Sequence, residues 1–309
     1  MSVMLVTGGA GFIGSHIAER LLELGHDVRI LDNFSTGRRE NLAAFEDRIE
    51  LIEADIRDAE SVRRAVDGVE VVFHEAALAS VPRSVADPVS SNEVNVTGTL
   101  NLLTAGRDAG VRRFVYASSS SVYGNSPELP KNEGMKPSPE SPYAVSNLAA
   151  EQYCHVFSTL YGFECVSLRY FIVFGPRQDP CSQYSAVVPL FVTAILEDRS
   201  PKIYGDGEQS RDFTYVANVV EANMLAMTAE GAAGKAFNIA CGRTCTVNNL
   251  LSKLQAIAGT SVAAEHVDER PGDVKHSFAD VAAAEKLLGL DPKVTLEEGL
   301  EVTVAYYRS

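Results

Sequence analysis

A tyrosine and a run of four serines are the residues of this chain best placed for chemistry. The serines at positions 118–121 end an apolar stretch that predicts a strand, and Tyr143 begins a stretch with helical periodicity. In doubly wound sheets, ligands bind beyond the carboxyl ends of the strands. A tyrosine can act there as a base when nearby positive charge lowers its pKa. Tyr143 is therefore a candidate for acid–base chemistry at this edge of the sheet.

A glycine cluster near the N-terminus has the spacing of a dinucleotide-binding turn. Gly8, Gly11 and Gly14 follow a predicted strand and open a predicted helix. Glycine permits the tight turn, and the free N–H groups of the helix N-terminus then face the phosphates. Asp32 ends the next predicted strand, where its carboxylate would accept hydrogen bonds from a ribose and repel a 2′-phosphate. We therefore expect NAD rather than NADP as the cofactor.

The elements that must position these residues alternate between strands and helices. Strands are predicted at residues 3–7, 28–31, 71–74, 113–118, 165–170 and 236–240. Helices are predicted at residues 12–24, 95–109, 143–161, 187–196, 218–228, 247–258 and 281–288. This alternation predicts an α/β fold with a Rossmann-type, doubly wound parallel sheet that carries helices on both faces.

The pattern loosens after residue 172, where glycine, proline and polar residues become frequent. This change indicates a smaller C-terminal α/β domain that holds the substrate. We expect residues 1–171 and about 213–242 to form the NAD-binding domain. Residues from about 172–212 and 243–309 would form the substrate domain.

The composition argues against a nucleic-acid or membrane partner. A net charge of −14 opposes binding to nucleic acids and anionic membranes, and no apolar run is long enough to span a bilayer. The N-terminus has no signal-peptide pattern, and five scattered cysteines are typical of free thiols in a reducing compartment. We therefore expect a cytoplasmic protein. Cys241 and Cys245 lack the additional ligands of a zinc site, so no metal is expected.

Several motifs together resemble the NAD-dependent epimerases and dehydratases, which are extended short-chain dehydrogenase/reductases. The shared motifs are the glycine turn, Asp32, the serine run, Ser141-Pro142-Tyr143 and Arg169-Tyr170-Phe171. The resemblance covers essentially the whole chain and is closest to bacterial UDP-N-acetylglucosamine 4-epimerases and UDP-glucose 4-epimerases. It implies epimerisation at carbon 4 of a UDP-sugar. Tyr143 would take the proton of the 4-hydroxyl, and a hydride would pass to NAD and return to the other face of the 4-keto sugar.

The resemblance also implies roles for individual residues. Ser119 would bridge the sugar hydroxyl and Tyr143, and Asn147 stands at the third catalytic position. The positions that correspond to the family's NAD site are Gly8, Gly11, Phe12, Ile13, Gly14, Asp32, Asn33, Ser35, Thr36, Gly37, Asp55, Ile56, Ala76, Ala77, Asn95, Ser118, Tyr143, Asn147 and Tyr170. The positions that correspond to its nucleotide-sugar site are Ser84, Ser119, Ser120, Tyr143, Ile172, Val188, Tyr204, Arg211, Arg270, Asp273 and Ser277.

Some of these positions discriminate between reactions and substrates. Ser120 and Ser121 stand where sugar 4,6-dehydratases place an acid and a base, so they cannot carry out elimination and favour an epimerase. Arg211 and Arg270 offer guanidinium groups that suit a diphosphate. In the family, a bulky tyrosine at the position of Ser277 excludes N-acetyl sugars. The small serine therefore favours N-acetylhexosamines, with plain hexoses alongside.

Two positions depart from the family pattern. The family has a lysine at the position of Asn147, and its ammonium lowers the pKa of the tyrosine. Without that charge, a tyrosine with a pKa of ~10 is only about one-thousandth phenolate at neutral pH. Ile172 replaces an asparagine that contacts the nucleotide-sugar, a loss of about 1–2 kcal/mol of binding.

These departures leave several interpretations open. The first is an epimerase that is slow or uses other residues. The second is a nucleotide-sugar-binding homologue that has lost catalysis. The third is a chain altered deliberately to trap a ligand. Another NAD-linked reaction of a nucleotide-sugar is a further alternative.

A homodimer is expected from the resemblance, because family members pair through the helices that correspond to residues 95–109 and 143–161. A four-helix bundle between subunits needs apolar outer faces on both helices. We expect Leu100, Leu103, Ala150 and Phe157 to supply them. The alternative is that these residues face their own sheet.

Overall fold

A seven-stranded parallel sheet organises the first part of the chain in the computed structural model, which describes residues 2–180, 186–269 and 275–308. The strands of the described residues are β1 (Val3–Thr7), β2 (Asp27–Asp32), β3 (Ile49–Glu53), β4 (Val69–His74), β5 (Arg113–Ser119), β6 (Glu164–Tyr170), β7 (Ile172–Phe174), β8 (Lys202–Tyr204), β9 (Ser210–Arg211), β10 (Phe213–Tyr215), β11 (Lys235–Ile239), β12 (Cys245–Thr246), β13 (Glu265–Val267) and β14 (His276–Ser277). The sheet runs in the order β11-β6-β5-β4-β1-β2-β3.

Helices connect the strands of the described residues. They are α1 (Phe12–Glu23), α2 (Ala59–Val66), α3 (Val81–Ala86), α4 (Pro88–Asn92), α5 (Thr99–Asp108), α6 (Pro142–Tyr161), α7 (Val187–Leu196), α8 (Val216–Thr228), α9 (Val247–Ala258), α10 (Ala282–Leu288) and α11 (Leu296–Arg308). A π-helical turn (Glu93–Gly98) joins α4 to α5. Ser141 caps the start of α6, because its hydroxyl accepts a hydrogen bond from the Ala144 N–H.

The two faces of the sheet bury separate apolar clusters. On one face, α1, α8 and α10 pack in a cluster that includes Ile17 and Val219. On the other face, α2, α5 and α6 pack in a cluster that includes Leu103 and Phe157. The strands between them read as continuous apolar runs, which is what burial on both faces requires. The predicted α/β class and the parallel Rossmann-type sheet are therefore confirmed.

The C-terminal part of the chain has a smaller apolar cluster of its own. Helices α7, α9 and α11 pack around Phe174, Phe191, Leu250 and Leu300. The short strands β12, β9 and β14 form a small sheet beside this cluster. Helix α10 belongs instead to the cluster of the large sheet, although the predicted boundaries placed it in the substrate domain. The division into two domains stays a prediction.

The predicted helices and strands recur with boundaries that differ by a few residues. The predicted strand at residues 236–240 is β11, and the predicted helix at residues 218–228 is α8. Helices α2 and α11 were not predicted. In α11, buried positions such as Leu300 and Val304 alternate with exposed charged residues, so its apolar signal is thin.

The residues predicted to form the apolar outer faces of α5 and α6 do not face outwards. Leu103 and Ala150 are completely buried, Phe157 is nearly so, and Leu100 packs against the same cluster beside the sheet. The exposed apolar side chains of α6 are Val145, Tyr153, Val156, Leu160 and Tyr161. Helix α6 therefore has one apolar face against its own sheet and another towards solvent.

None of the helices in the described part of the chain combines the length and the apolar character that crossing a membrane requires.

Candidate active site at the carboxyl edge of the sheet

The carboxyl ends of five strands meet at one edge of the large sheet. Parallel pairing sets Thr7 of β1 beside Leu31 of β2 and beside His74 of β4. The same register continues to β5 and β6, where Ser119 lies opposite Tyr170. Residues that are far apart in sequence, including the glycine turn and the serine run, therefore open on a common cleft.

The glycine turn after β1 leaves no room for side chains. Gly8 has a φ of +67°, and a Cβ atom there would lie 2.7 Å from the backbone nitrogen of Ala76. A Cβ atom at Gly14 would collide with the carbonyl oxygen of Gly8. The first residues of α1 thus come directly against the turn, which leaves their N–H groups open to the cleft.

Asp32 closes the turn from the end of β2. Its carboxylate accepts hydrogen bonds from the N–H groups of Ala10 at 2.9 Å and Phe34 at 2.8 Å. Burial raises the pKa of the Asp32 carboxyl, while these two backbone donors lower it. A Cβ atom at Gly37 would lie 2.9 Å from the same carboxylate, so the loop after β2 passes close over it.

Most of the residues predicted to bind NAD line this one cleft. They are Gly8, Gly11, Asp32, Asn33, Ser35, Thr36, Gly37, Asp55, Ile56, Ala76 and Ala77. Asn33 donates a hydrogen bond to Asp55 at 2.8 Å, and hydrogen bonds from Arg57 hold the pKa of Asp55 at about 2. The predicted set therefore gathers at one place with a carboxylate at each side.

Five other residues predicted to bind NAD lie behind the cleft and do not line it. Phe12 and Ile13 pack against the apolar cluster beneath the turn. Asn95 is buried, accepts the N–H of Leu78 at 2.8 Å, and donates to Ser146 of α6 at 3.0 Å. Ser118 and Tyr170 are also buried and contact Glu151 and Glu75, respectively.

Tyr143 is held at the start of α6 by its backbone. Its N–H donates to the hydroxyl of Ser84 at 3.0 Å, and Ser84 itself donates to the carbonyl of Val81 at 2.7 Å. We expected Ser84 to contact the sugar. Its side chain is instead completely buried and anchors the backbone of Tyr143. Burial raises the pKa of Tyr143, hydrogen bonds with Ser119 and Asn147 lower it, and the charge of Glu75 raises it.

Asn147 is buried one helical turn below Tyr143. Its amide donates to the carbonyl oxygen of Tyr143 at 2.8 Å and accepts a bond from the Tyr116 hydroxyl at 3.4 Å. The first of these bonds joins the Asn147 side chain to the helix backbone, and neither bond involves a charged group. Within the described residues, no positively charged side chain contributes to the pKa of Tyr143. The tyrosine therefore lacks the usual means by which its pKa is lowered.

A buried polar network behind the serine run fixes its position. Arg169 of β6 forms an ion pair with Glu151 of α6 at 2.6 Å, and both side chains are only 5% exposed. Ser118 donates to Glu151 at 2.8 Å, and Arg169 donates to the hydroxyl of Tyr123 at 2.8 Å. Tyr123 in turn donates to Asn238 of β11 at 2.6 Å. Because these contacts satisfy both charges, the network ties β5, β6, β11 and α6 into one rigid frame.

A second cavity of about 520 Å³ opens beside the cleft, in the C-terminal part of the chain. Its apolar wall includes Leu190, Phe191 and Val247. Its polar and charged lining residues are Arg199, Ser200, Lys202, Tyr204, Gln209 and Arg211. Ile172 lines this cavity, and Tyr170, two residues earlier, contacts the Glu75 side chain that lines the cofactor cleft. Strand β7, which lines the cavity, therefore directly follows β6, whose Tyr170 contacts the cleft residue Glu75.

The residues predicted to bind the nucleotide-sugar are distributed unevenly. Ile172, Tyr204 and Arg211 line the cavity. Ser277 pairs with Arg211 across strands β14 and β9, and Ser120 lies half-buried in the short helical turn after β5. Val188 is completely buried in the C-terminal cluster, whereas its neighbour Val187 lines the cavity. Arg270 and Asp273 lie outside the described residues.

Several site residues were missed from the sequence. Glu75 lines the cleft, Tyr116 contacts Asn147, and Arg199 and Gln209 line the cavity. Glu75 directly follows the apolar strand β4, where a charged residue is unusual, so that position carried a signal. Arg199 and Gln209 look like ordinary surface residues and carried none.

The fold and the cleft define a dinucleotide-binding enzyme of the Rossmann class. Residues 4–240 match the family model described as NAD dependent epimerase/dehydratase family. The UDP-glucose 4-epimerase of Mycolicibacterium smegmatis is 41% identical over 99% of this chain and 98% of its own length. The chain therefore belongs to the NAD-dependent epimerase/dehydratase family, which confirms the resemblance seen in its motifs.

Solved structures agree with this assignment. The UDP-N-acetylglucosamine 4-epimerase of Methanobrevibacter ruminantium, in complex with UDP-N-acetylmuramic acid, is 40% identical with a TM-score of 0.95; the match covers 99% of this chain and 98% of that one. The UDP-glucose 4-epimerase of Thermus thermophilus, in complex with NAD, is 39% identical with a TM-score of 0.90, and the match covers 99% of both chains.

Proposed function

We propose that this protein is an NAD-dependent 4-epimerase of UDP-sugars, with UDP-N-acetylglucosamine and UDP-N-acetylgalactosamine as the preferred pair and UDP-glucose and UDP-galactose as further substrates. The observation that carries the proposal is that one chain combines a dinucleotide cleft with a large cavity that has basic lining residues. Tyr143 hydrogen-bonds to Ser119 at the end of β5, and the charge of the cleft residue Glu75 raises the pKa of Tyr143. Relatives that act on UDP-sugars at carbon 4 match the chain over nearly its whole length.

The residues of the cleft fit NAD. The glycine turn keeps the backbone free of side chains, because a Cβ atom at Gly8 or Gly14 would collide with neighbouring backbone, and the carboxylate of Asp32 would repel a 2′-phosphate. Gly8 and Gly11 would face the pyrophosphate, Asp32 the adenosine ribose, and Asp55 and Ile56 the adenine. When bound, NAD supplies a reversible acceptor for a hydride from carbon 4 of the sugar.

Tyr143 would hold and return the proton of the sugar 4-hydroxyl. Its hydroxyl is paired with Ser119 and Asn147, and these bonds lower its pKa although burial raises it. Ser119 is half-buried and hydrogen-bonds to Tyr143, and it would guide the sugar hydroxyl towards Tyr143. Because Asn147 adds no charge, the phenolate is rare at neutral pH, and we expect slow turnover that accelerates as the pH rises.

The large cavity would hold the UDP part of the substrate. Its apolar wall suits a pyrimidine ring, and Arg211 supplies a guanidinium group that suits phosphate oxygens. Arg270, which the family resemblance also assigns to the diphosphate, lies outside the described residues. The small Ser277 beside Arg211 leaves space for an N-acetyl group.

The first experiment is direct detection of turnover. Micromolar enzyme, NAD+ and UDP-N-acetylglucosamine are incubated for hours, and proton NMR resolves the sugar products. Appearance of UDP-N-acetylgalactosamine would support the proposal, and the Tyr143→Phe variant serves as the matched control. A folded protein that binds no NAD+, or that rejects all UDP-sugars, would contradict it.

A second candidate is a nucleotide-sugar-binding protein without catalysis. The specific observation that favours it is the buried, uncharged Asn147 below a tyrosine whose pKa is raised. Tight binding of NAD+ and a UDP-sugar with no product, even at high enzyme concentration, would select this candidate. Net release of NADH would instead select an oxidoreductase, because an epimerase returns its hydride.

The protein is further proposed to form a homodimer in the cytoplasm. The apolar side chains Val145, Val156 and Leu160 of α6 are exposed, and Val85 and Val89 of the neighbouring α3 and α4 are more than 60% exposed. Exposed apolar side chains on three neighbouring helices are typical of an interface. The four described cysteines are free, in keeping with a reducing compartment.

Light scattering tests the homodimer. We expect a dimer, and Leu160→Glu should shift the mass towards the monomer. Val302→Glu provides the matched control, because Val302 is an exposed apolar residue on α11, away from this face. A monomer for the unaltered chain would overturn the assignment.

A further inference from the structure

Glu75 places a fixed carboxyl group in the cofactor cleft. It lines the cleft directly after β4, next to Ala76. Its backbone N–H donates to the carbonyl of Thr7 at 3.1 Å. Its side chain accepts a hydrogen bond from the Tyr170 hydroxyl at 2.8 Å, and Tyr170 accepts one from Asn223 at 2.7 Å. Tyr170 belongs to β6 and Asn223 to α8, so a line of two hydrogen bonds from separate elements holds the carboxyl in place.

The surroundings of Glu75 contain phenols and no compensating cation within the described residues. The carboxyl acts electrostatically on Tyr143 of α6, Tyr116 of β5 and Tyr170 of β6. Burial raises the pKa of the Glu75 carboxyl to about 7, and the hydrogen bond from Tyr170 lowers it. The group therefore gains or loses its charge near neutral pH.

The position of Glu75 along the cleft distinguishes it from the other carboxyls. Asp32 and Asp55 lie at the loops after β2 and β3. Glu75 accepts a hydrogen bond from Tyr170, Tyr170 lies opposite Ser119 in the sheet, and Ser119 hydrogen-bonds to Tyr143. Tyr143 marks the end of the cleft where the sugar would react. Hydride transfer would bring the redox-active ring of the cofactor to this end. That ring carries a positive charge when oxidised and none when reduced, so a nearby carboxylate distinguishes the two forms.

We infer that Glu75 is a specificity-determining residue that makes the cleft prefer the oxidised cofactor over the reduced one. This inference rests on the proposed function. A carboxylate close to a cation, in partly buried surroundings, would give a preference of about tenfold or more. An epimerase ends every turnover with an oxidised cofactor. The preference would therefore help the enzyme to return its hydride and would resist the loss of reduced cofactor.

The test is the ratio of the dissociation constants of NADH and NAD+ as a function of pH. Both constants are measured by fluorescence titration and competition on the full chain between pH 5.5 and 9. We expect the ratio to rise by about tenfold across this range as Glu75 ionises, because only the charged carboxylate favours NAD+. Since bound NAD+ itself stabilises the carboxylate, the rise begins below pH 7.

Glu75→Gln removes the charge and keeps an oxygen that can accept the Tyr170 hydrogen bond. We expect its ratio to be independent of pH and to equal the low-pH value of the unaltered protein. Tyr170→Phe keeps the carboxyl but removes the donor that lowers its pKa, so the rise should move to higher pH. Melting curves of both variants establish that they fold.

The other ionisable groups near Glu75 do not imitate this behaviour. Burial lowers the pKa of His74 to about 3, and the pKa values of Tyr116, Tyr143 and Tyr170 are raised above those of ordinary tyrosines. Asp32 and Asp55 would contact the adenosine part, which NAD+ and NADH share, so their effects cancel in the ratio.

A ratio that changes equally with pH in the unaltered protein and in Glu75→Gln would overturn the inference. So would a flat ratio in the unaltered protein. Either result, obtained with measurable NAD+ binding, leaves the proposed epimerase intact. Failure of the unaltered protein to bind either form of the cofactor would overturn the inference and the proposed function together.

Discussion

The cofactor cleft and the catalytic pair at its end depend on different kinds of contact. The cleft is formed by backbone shape and backbone hydrogen bonds. Gly8 and Gly14 tolerate no side chain, and two N–H donors hold Asp32. At the catalytic pair, Tyr143 and Asn147 are joined by hydrogen bonds without any positive charge. Cofactor binding should therefore depend less on the residue at position 147 than proton transfer does. Binding and turnover should therefore respond separately to mutation.

Tyr143→Phe should produce the largest effect on turnover. If turnover did not fall, the contrast between proton transfer and cofactor binding would be wrong. Removal of the base should lower epimerisation by about a thousandfold, while NAD+ affinity changes by less than about tenfold. NMR turnover and cofactor titration on the same preparation measure both quantities. Undiminished turnover would mean that another group carries the proton.

Asn147→Lys should raise turnover by about a hundredfold at pH 7, because the ammonium favours the phenolate of Tyr143. The unaltered protein has a Tyr143 pKa that burial raises, so its rate should increase about tenfold per pH unit up to pH 9. The lysine variant should level off at a lower pH. Asn147→Met provides similar length without charge and should show no gain. If the methionine variant gains equally, side-chain size rather than charge limits the rate.

Ser277→Tyr should separate the two kinds of sugar. We expect the kcat/KM for UDP-N-acetylglucosamine to fall on the order of thirtyfold, with a much smaller change for UDP-glucose, because bulk beside Arg211 removes space for the acetyl group. Ser277→Ala is the size-matched control. Equal losses for both sugars would place Ser277 outside the acetyl pocket.

Ile172→Asn should have the smallest effect of the set. An amide in place of the apolar side chain that lines the cavity should lower KM for the UDP-sugar by about tenfold. The kcat should change little, because Ile172 does not belong to the catalytic pair. Ile172→Val tests the effect of altered volume alone. A change in kcat without a change in KM would contradict the assignment to binding.

The sheet and the cleft could be predicted because their signals are local. The strand–glycine–helix pattern fixes the turn after β1, and Asp32 follows from its distance along the same unit. Strand order then brings Ser119 and Tyr170 to the same edge without any further information. The absence of charge at position 147 was also visible in the sequence, although the burial of Asn147 was not.

Side-chain direction on α6 could not be predicted in the same way. The helix has apolar residues on two faces, and periodicity alone does not tell which of them meets the sheet. Ala150 and Phe157 meet it, while Val145 and Leu160 face outwards. The contacts of Glu75 could not be predicted for a related reason. It accepts a hydrogen bond from Tyr170, which accepts one from Asn223, and both residues come from elements distant in sequence.

The amide of Asn147 has an evolutionary consequence. Codons for asparagine and lysine differ only in their third base, so one nucleotide substitution is enough to convert Asn147 into a lysine. The contacts of Asn147 with Tyr143 and Tyr116 do not require a charge, and the surrounding frame of Arg169 and Glu151 is complete without it. A single genetic step would therefore introduce an ammonium group below Tyr143, and selection for faster turnover would have a direct route to it.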